Sequence, residues 1–161
     1  MMVRFQVWIF LLFCSIFPAS YTMAQEGLKI NWLSFEALSD SLATKPKKTL
    51  IFFHADWCTY CKKMEREVFT NPAVIAEINA HYYAVQLDVE TVDSIRFDGQ
   101  LFSNNSPKKR RGKYHDLAML LGARNGQLVL PTTLILDKNF FVDQRQFEYL
   151  HSKKLLELLQ P

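Results

Sequence analysis

Thr49-Leu50-Ile51-Phe52-Phe53-His54 is a near-continuous apolar run of strand length, the pattern of a strand covered on both faces. Tyr82–Val89 repeats it and ends near Asp88. Two helices are predicted between these strands. In the first, Cys58 to about Phe69, Met64 and Val68 share a face with Cys61, while Lys62, Lys63, Glu65, Arg66 and Glu67 take solvent positions. The second covers Ala73–Ala80, with Asn71 as its cap and Pro72 at the first helical position. Upstream, Leu28 to Leu33 alternates weakly like a strand, and Ser34 caps a helix over Phe35–Ala43 whose Phe35, Leu38 and Leu42 fall at helical spacing. Lys45-Pro46-Lys47-Lys48 reads as a solvated turn. Downstream, Ile95–Phe97 and Gln100–Phe102 flank Asp98-Gly99, a dipeptide that supplies the positive φ angles of a two-residue hairpin turn. A polar stretch, Ser103–Lys113, then precedes a short helix over His115–Leu121 and a loop from Gly122 to Gln127. Strands over Thr132–Leu136 and Phe140–Gln144 follow, around the turn Asp137-Lys138-Asn139, and Ser152 caps a last helix, Lys153–Leu159. The order β-α-β-α-α-β-hairpin-α-β-β-α predicts an α/β domain, a mixed sheet covered by helices on both faces.

The first residues read as an address. Residues 1–24 hold one charge, Arg4, then an apolar run from Phe5 to Phe17 broken by Gln6 and Ser15, and finish Thr22-Met23-Ala24. A basic start, a short apolar run and a small-x-small exit describe a secretory signal with cleavage after Ala24. The run is shorter than the roughly 20 apolar residues of a spanning helix, which argues against a retained anchor. A lipoprotein signal through Cys14 is disfavoured by bulky Phe13 before it. The expected organisation is therefore a signal peptide at 1–24 and one domain at 25–161, exported to the periplasm or envelope if the source is bacterial.

Composition adds exclusions. With 161 residues, 49% apolar and 22% charged, the chain is neither disordered nor fibrous. A net charge of +3 is too small to argue for a nucleic-acid partner. Three cysteines, Cys14, Cys58 and Cys61, exclude a disulfide-stapled miniprotein. Loss of Cys14 with the signal leaves Cys58 and Cys61 as a pair, in a compartment where disulfides persist.

Candidate chemistry concentrates in Trp57-Cys58-Thr59-Tyr60-Cys61-Lys62. Two cysteines three apart at a helix start lie close enough for a small disulfide ring. Free N–H groups at the helix N-terminus stabilise a thiolate at Cys58 and make it the nucleophile, with Cys61 as the resolving thiol one turn deeper. Lys62 and Lys63 add positive field from solvent positions. Zinc needs four ligands and no second cysteine pair exists; haem attachment needs a His where Lys62 stands. A purely structural disulfide stays open, although so short a ring stabilises least in loop-entropy terms. No cofactor beyond the dithiol and no metal is expected.

Phe53-His54-Ala55-Asp56-Trp57-Cys58-Thr59-Tyr60-Cys61-Lys62-Lys63-Met64-Glu65 resembles the active-site segment of thioredoxin-fold proteins. The continuation Val68-Phe69-Thr70-Asn71-Pro72-Ala73-Val74 is similar to the secreted branch of that family, which includes the periplasmic C-terminal domain of the disulfide-interchange protein DsbD. Leu130-Pro131-Thr132, before an apolar strand, resembles the family's cis-proline loop. The resemblance spans roughly 30–160, apart from the hairpin and basic loop at about 91–114. It implies a thioredoxin fold carrying that stretch as an insertion. It also implies that Cys58 and Cys61 are the redox pair, that Trp57 shields it, and that Pro131 packs beside it while Leu130 offers backbone hydrogen bonds to an extended substrate.

One departure is evident. Many relatives place a buried acid six residues before the first cysteine, and here that residue is Phe52. Proton delivery to Cys61 then falls to water, Asp56 or His54, although Asp56 also reads as a loop carboxylate and His54 as a strand-end histidine bonded to backbone. The basic run Lys108–Lys113 reads as a solvated loop, with recruitment of an acidic partner or anionic membrane as the functional alternative. Asn104-Asn105-Ser106 matches a glycosylation sequon, of consequence only in a eukaryote.

The expected function is an exported thiol–disulfide oxidoreductase, a reductase of protein disulfides served by an upstream thiol donor. It is expected to be monomeric, without nucleic-acid partners and without a membrane span once the signal is removed. An isomerase or oxidase is the enzymatic alternative. A thioredoxin-fold binding or assembly module with a non-catalytic disulfide, making contact through 91–114, is the alternative of a different class. The hairpin is expected to be an arm dispensable for folding.

Overall fold

The computed structural model describes residues 28–106 and 108–160. The expected signal peptide and its cleavage site lie outside them.

A five-stranded sheet organises the chain, in the order β1 (Trp32–Leu33), β3 (Tyr82–Asp88), β2 (Lys48–His54), β6 (Thr132–Leu136) and β7 (Val142–Gln146). The first three strands are parallel, β6 runs antiparallel to β2, and β7 runs antiparallel to β6. Central β2 explains its own sequence. With strands on both sides and both faces covered, Leu50, Ile51, Phe52 and Phe53 are all fully buried. The helices are α1 (Phe35–Thr44), α2 (Thr59–Glu67), α3 (Pro72–His81), α4 (Asp116–Gly122) and α5 (Ser152–Leu159). Their starts follow capping chemistry: Ser34 accepts from the Ala37 N–H, and Asn71 accepts from Ala73 and Val74 with Pro72 in the first turn. Helices α3 and α5 pack together at one end, where the Tyr82 hydroxyl donates to the Leu159 carbonyl at 2.7 Å.

Three local expectations are corrected. The last strand begins at Val142 and not at Phe140, because Asp137 Oδ1 accepts from the Asn139 and Phe141 N–H groups and holds Phe140 in a turn at φ 65°. The strand then enters through a register shift at Ile135/Leu136. The cap of α5 is His151, whose Nδ1 accepts from the Lys154 N–H, with Ser152 already inside the helix. His115 likewise caps α4 from outside it, accepting from the Leu117 N–H.

The hairpin of β4 (Ile95–Phe97) and β5 (Gln100–Phe102) forms a separate two-stranded sheet. It leaves and re-enters the fold at one point, because the His115 N–H donates to the Val89 carbonyl at 2.7 Å. The hairpin is nevertheless tied to the core, which argues against a dispensable arm. Phe97 is 9% exposed and meets Phe35 and Phe140 at ring-centroid distances of 5.4 and 5.3 Å. The Arg96 N–H donates to Glu36 of α1. A short alternating hairpin gives no sign in sequence of which apolar residue reaches the core.

Candidate active site

Strand β2 ends at His54, and three residues carry the chain to Cys58, the cap of α2. Cys58 and Cys61 form a disulfide, with an S–S distance of 2.05 Å and Cα atoms 5.2 Å apart. Cys58 is 5% exposed and Cys61 is fully buried, so the sulfur at the helix start is the one nearer solvent. Its Sγ accepts from the Cys61 backbone N–H at 3.1 Å. The helix supplies this donor because the first N–H groups of any helix have no partner within it. Such a pair can store or release two electrons, and the helix terminus favours negative charge on Cys58 when the bond is open.

The opposing loop leaves the same end of the sheet. Antiparallel pairing sets Thr132 opposite Phe53, so the Leu130–Pro131 peptide, which is cis, follows directly beyond that register. Thr132 is buried, and its hydroxyl donates back to the Val129 carbonyl at 2.5 Å; its side chain pins the loop and does not face outward. Leu130 is half-buried, and Pro131 is buried. A cavity of about 520 Å³ bordered by Lys48, His81, Tyr82 and Lys138 opens at the other end of β2, away from the disulfide.

Around the cysteines, Thr59, Tyr60 and Lys62 are exposed. The Tyr60 ring sits 6.2 Å from that of Tyr149 in α5's approach, and Lys63 lies over Tyr149 at 4.7 Å. Phe52, where relatives place an acid, is buried against Phe69 and stacked on His54. Burial pushes the His54 imidazole below its ordinary pKa, against the opposing pull of Glu65, whose carboxylate lies 3.7 Å from Nδ1, and of Asp88 and Asp56. Asp56 is turned to Lys109 at 2.5 Å, and that hydrogen bond and charge hold its carboxyl below the usual range. Lys109 also bonds Asp88, and the two carboxylates hold its ammonium above the usual lysine range.

The basic run is therefore not simply a solvated loop. Arg111 lies over the Trp57 ring, 4.4 Å from its centroid. Glu90, 3% exposed and the buried carboxylate among the described residues, accepts through one oxygen from the Trp57 indole N–H at 2.9 Å and from the Gly112 N–H at 2.8 Å. Asn104 donates to the Thr91 and Lys113 carbonyls, both at 3.0 Å, which ties the two ends of the segment together and engages the amide that a sugar would need. Residues 108–113 thus form a strap across the flank of Trp57. Sequence reasoning missed Glu90 and the Lys109 bridge, since a lone acid after a strand and one lysine among five cations carry no periodic signal.

Among the described residues no cluster of His, Cys, Asp and Glu is placed to hold a metal ion, and no helix is long and apolar enough to cross a membrane. Comparison with known proteins finds a thioredoxin-like domain matching residues 35–140. The chain is 31% identical over 62 residues to the thiol:disulfide interchange protein DsbD of Pectobacterium atrosepticum, a match over 37% of this chain that spans only 11% of that protein's length. Among solved structures it is similar to DsbH oxidoreductase, with a TM-score of 0.58 and 18% identity over 90% of this chain and 92% of that one. It is also similar to the oxidised C-terminal domain of DsbD from Neisseria meningitidis, with a TM-score of 0.50 and 18% identity over 76% and 87%.

Proposed function

The chain belongs to the thioredoxin-like family, and we propose that it is a thiol–disulfide oxidoreductase that works outside the cytoplasm as a reductase of protein disulfides. The observation that carries the site assignment is Cys58 as the cap of α2, with its Sγ receiving the Cys61 N–H.

In the reduced protein the Cys58 thiolate attacks one sulfur of a substrate disulfide. A mixed disulfide forms and the first substrate thiolate leaves. Cys61, deprotonated as it reacts, then attacks the Cys58 sulfur and expels the second substrate thiolate. The substrate gains two electrons and two protons, and the enzyme is left with the Cys58–Cys61 disulfide, which an upstream dithiol reduces again. Trp57 shields the pair from one side. Leu130 presents backbone hydrogen-bonding groups to an extended substrate, with Pro131 setting the loop beside it. The start of the sequence, read as a secretory signal, and the DsbD relative support a periplasmic or envelope location for this work.

Alkylation of the reduced protein across pH tests the roles. Cys58 is expected to label first, with an apparent pKa below the roughly 8.5 of an ordinary thiol. Cys61→Ser is expected to accumulate mixed disulfides with proteins in the native compartment. Preferential labelling of Cys61 would reverse the two roles. Absence of adducts would favour the binding-module reading.

A further inference from the structure

We propose that the 108–113 strap is a specificity surface for this redox site, a cationic wall that selects substrates whose cysteine is flanked by acidic residues. The inference rests on the oxidoreductase reading and adds the substrate class to it.

Position is the first argument. The strap is anchored to the two residues immediately before the cysteine at the helix start: Lys109 bonds Asp56, and Arg111 covers the Trp57 ring. Glu90 locks Trp57 and Gly112 onto one oxygen, and Asn104 closes the base of the strap. Contacts at Lys109, Arg111, Gly112 and Lys113 hold the strap's charges beside the two residues that precede the reacting cysteine.

Charge is the second. Among the described residues, Lys109 is the one strap cation that meets carboxylates. Lys108, Arg110, Arg111 and Lys113 are exposed, with no ion pair among the described residues. Three acids against the strap are already engaged: Asp56 and Asp88 by Lys109, Glu90 by two N–H groups. Lys62, exposed one residue past the second cysteine, adds charge of the same sign. Among the described residues no carboxylate lies within ion-pair distance of those four strap cations.

Chemistry is the third. The Arg111 guanidinium carbon lies 4.4 Å from the Trp57 ring centroid and its N–H groups make no ion pair among the described residues, so they remain available for the bidentate geometry that carboxylates match. An extended peptide with Asp or Glu beside its cysteine places a carboxylate there while its sulfur meets Cys58. An anionic lipid surface would match the charge but has no need of the fixed register.

The test uses the full chain, re-reduced by dithiothreitol whose uncatalysed rate is subtracted, and three substrates: two peptides of equal length, each with one mixed disulfide to mercaptoethanol, flanked by Asp in one and by Lys in the other, and uncharged hydroxyethyl disulfide. At low ionic strength kcat/KM is expected to favour the acidic peptide by about tenfold, mainly through KM, and the ratio is expected to shrink towards one in about 0.5 M salt. Lys108→Glu/Arg110→Glu, which leaves the Trp57 contact in place, is expected to abolish or invert the ratio. Equal rates for both peptides in the wild type, with hydroxyethyl disulfide still reduced, overturn the specificity surface alone. A preference that survives the double substitution overturns it as well. So does sedimentation with phosphatidylglycerol vesicles unaccompanied by any peptide preference. Failure to reduce all three substrates instead overturns the oxidoreductase reading beneath it.

Discussion

The indole N–H of Trp57 donates to Glu90 at 2.9 Å, across 33 positions of sequence, and thereby joins the residue before the cysteine pair to the segment inserted after β3. The same oxygen receives the Gly112 N–H, so a single buried carboxylate sets the orientation of Trp57 and the seat of the strap. Burial makes this junction costly to break, because each N–H left without an acceptor loses its hydration and gains nothing.

Glu90→Ala is accordingly expected to destabilise the protein by about 2 kcal/mol, in line with the 1–3 kcal/mol typical of orphaned buried groups. Glu90→Gln keeps an acceptor oxygen and is expected to cost about 1 kcal/mol, the loss of charge assistance. Urea unfolding measures both, and hydrogen exchange at the Gly112 amide distinguishes a released strap from general loosening. An unchanged Gly112 exchange rate in Glu90→Ala would show that the strap is seated by other contacts.

Phe97 is expected to behave as a core residue despite its place on an inserted hairpin. Its ring fills the space between Phe35 and Phe140, and Phe97→Ala is expected to cost about 3 kcal/mol, the lower end for a buried Phe. Leu101, two residues past the turn and 61% exposed, is the internal control; Leu101→Ala is expected to stay within about 0.5 kcal/mol of wild type. Equal urea midpoints for the two variants would return the hairpin to the status of a dispensable arm.

His54 predicts a pH dependence of stability. Its folded pKa lies below the ordinary value of 6.5, with burial as the leading cause, so the fold favours the neutral ring. The stability this contributes is fully present above about pH 6.5 and is lost as pH falls towards the depressed folded value, since the unfolded chain takes up the proton first. His54→Asn, which cannot be protonated, is expected to flatten the decline in urea midpoint between about pH 6.5 and 5. Glu65→Gln removes an influence that raises the His54 pKa and is expected to steepen it. A wild-type midpoint that is level across this window contradicts the assignment.

Much of the architecture is written in local pattern. Four consecutive apolar residues in the run Thr49–His54 imply a central strand before any partner is known, and Asn71-Pro72 marks a helix start by the chemistry of its own first turn. Asp98-Gly99 names a hairpin because both residues take the positive φ the turn needs, 49° and 72°. The Cys58–Cys61 pair is legible for the same reason: cap, helix and spacing lie within four residues of each other. The strap was decided elsewhere. Whether Lys109 is solvated or bridges Asp56 and Asp88, whether Glu90 faces water or Trp57, and whether Phe97 or Leu101 turns inward depend on groups 21 to 62 positions apart. Such pairings leave no period in the chain, since each uses one residue from each segment. They exist only once the sheet brings the ends of β2 and β3 side by side, with His54 opposite Asp88.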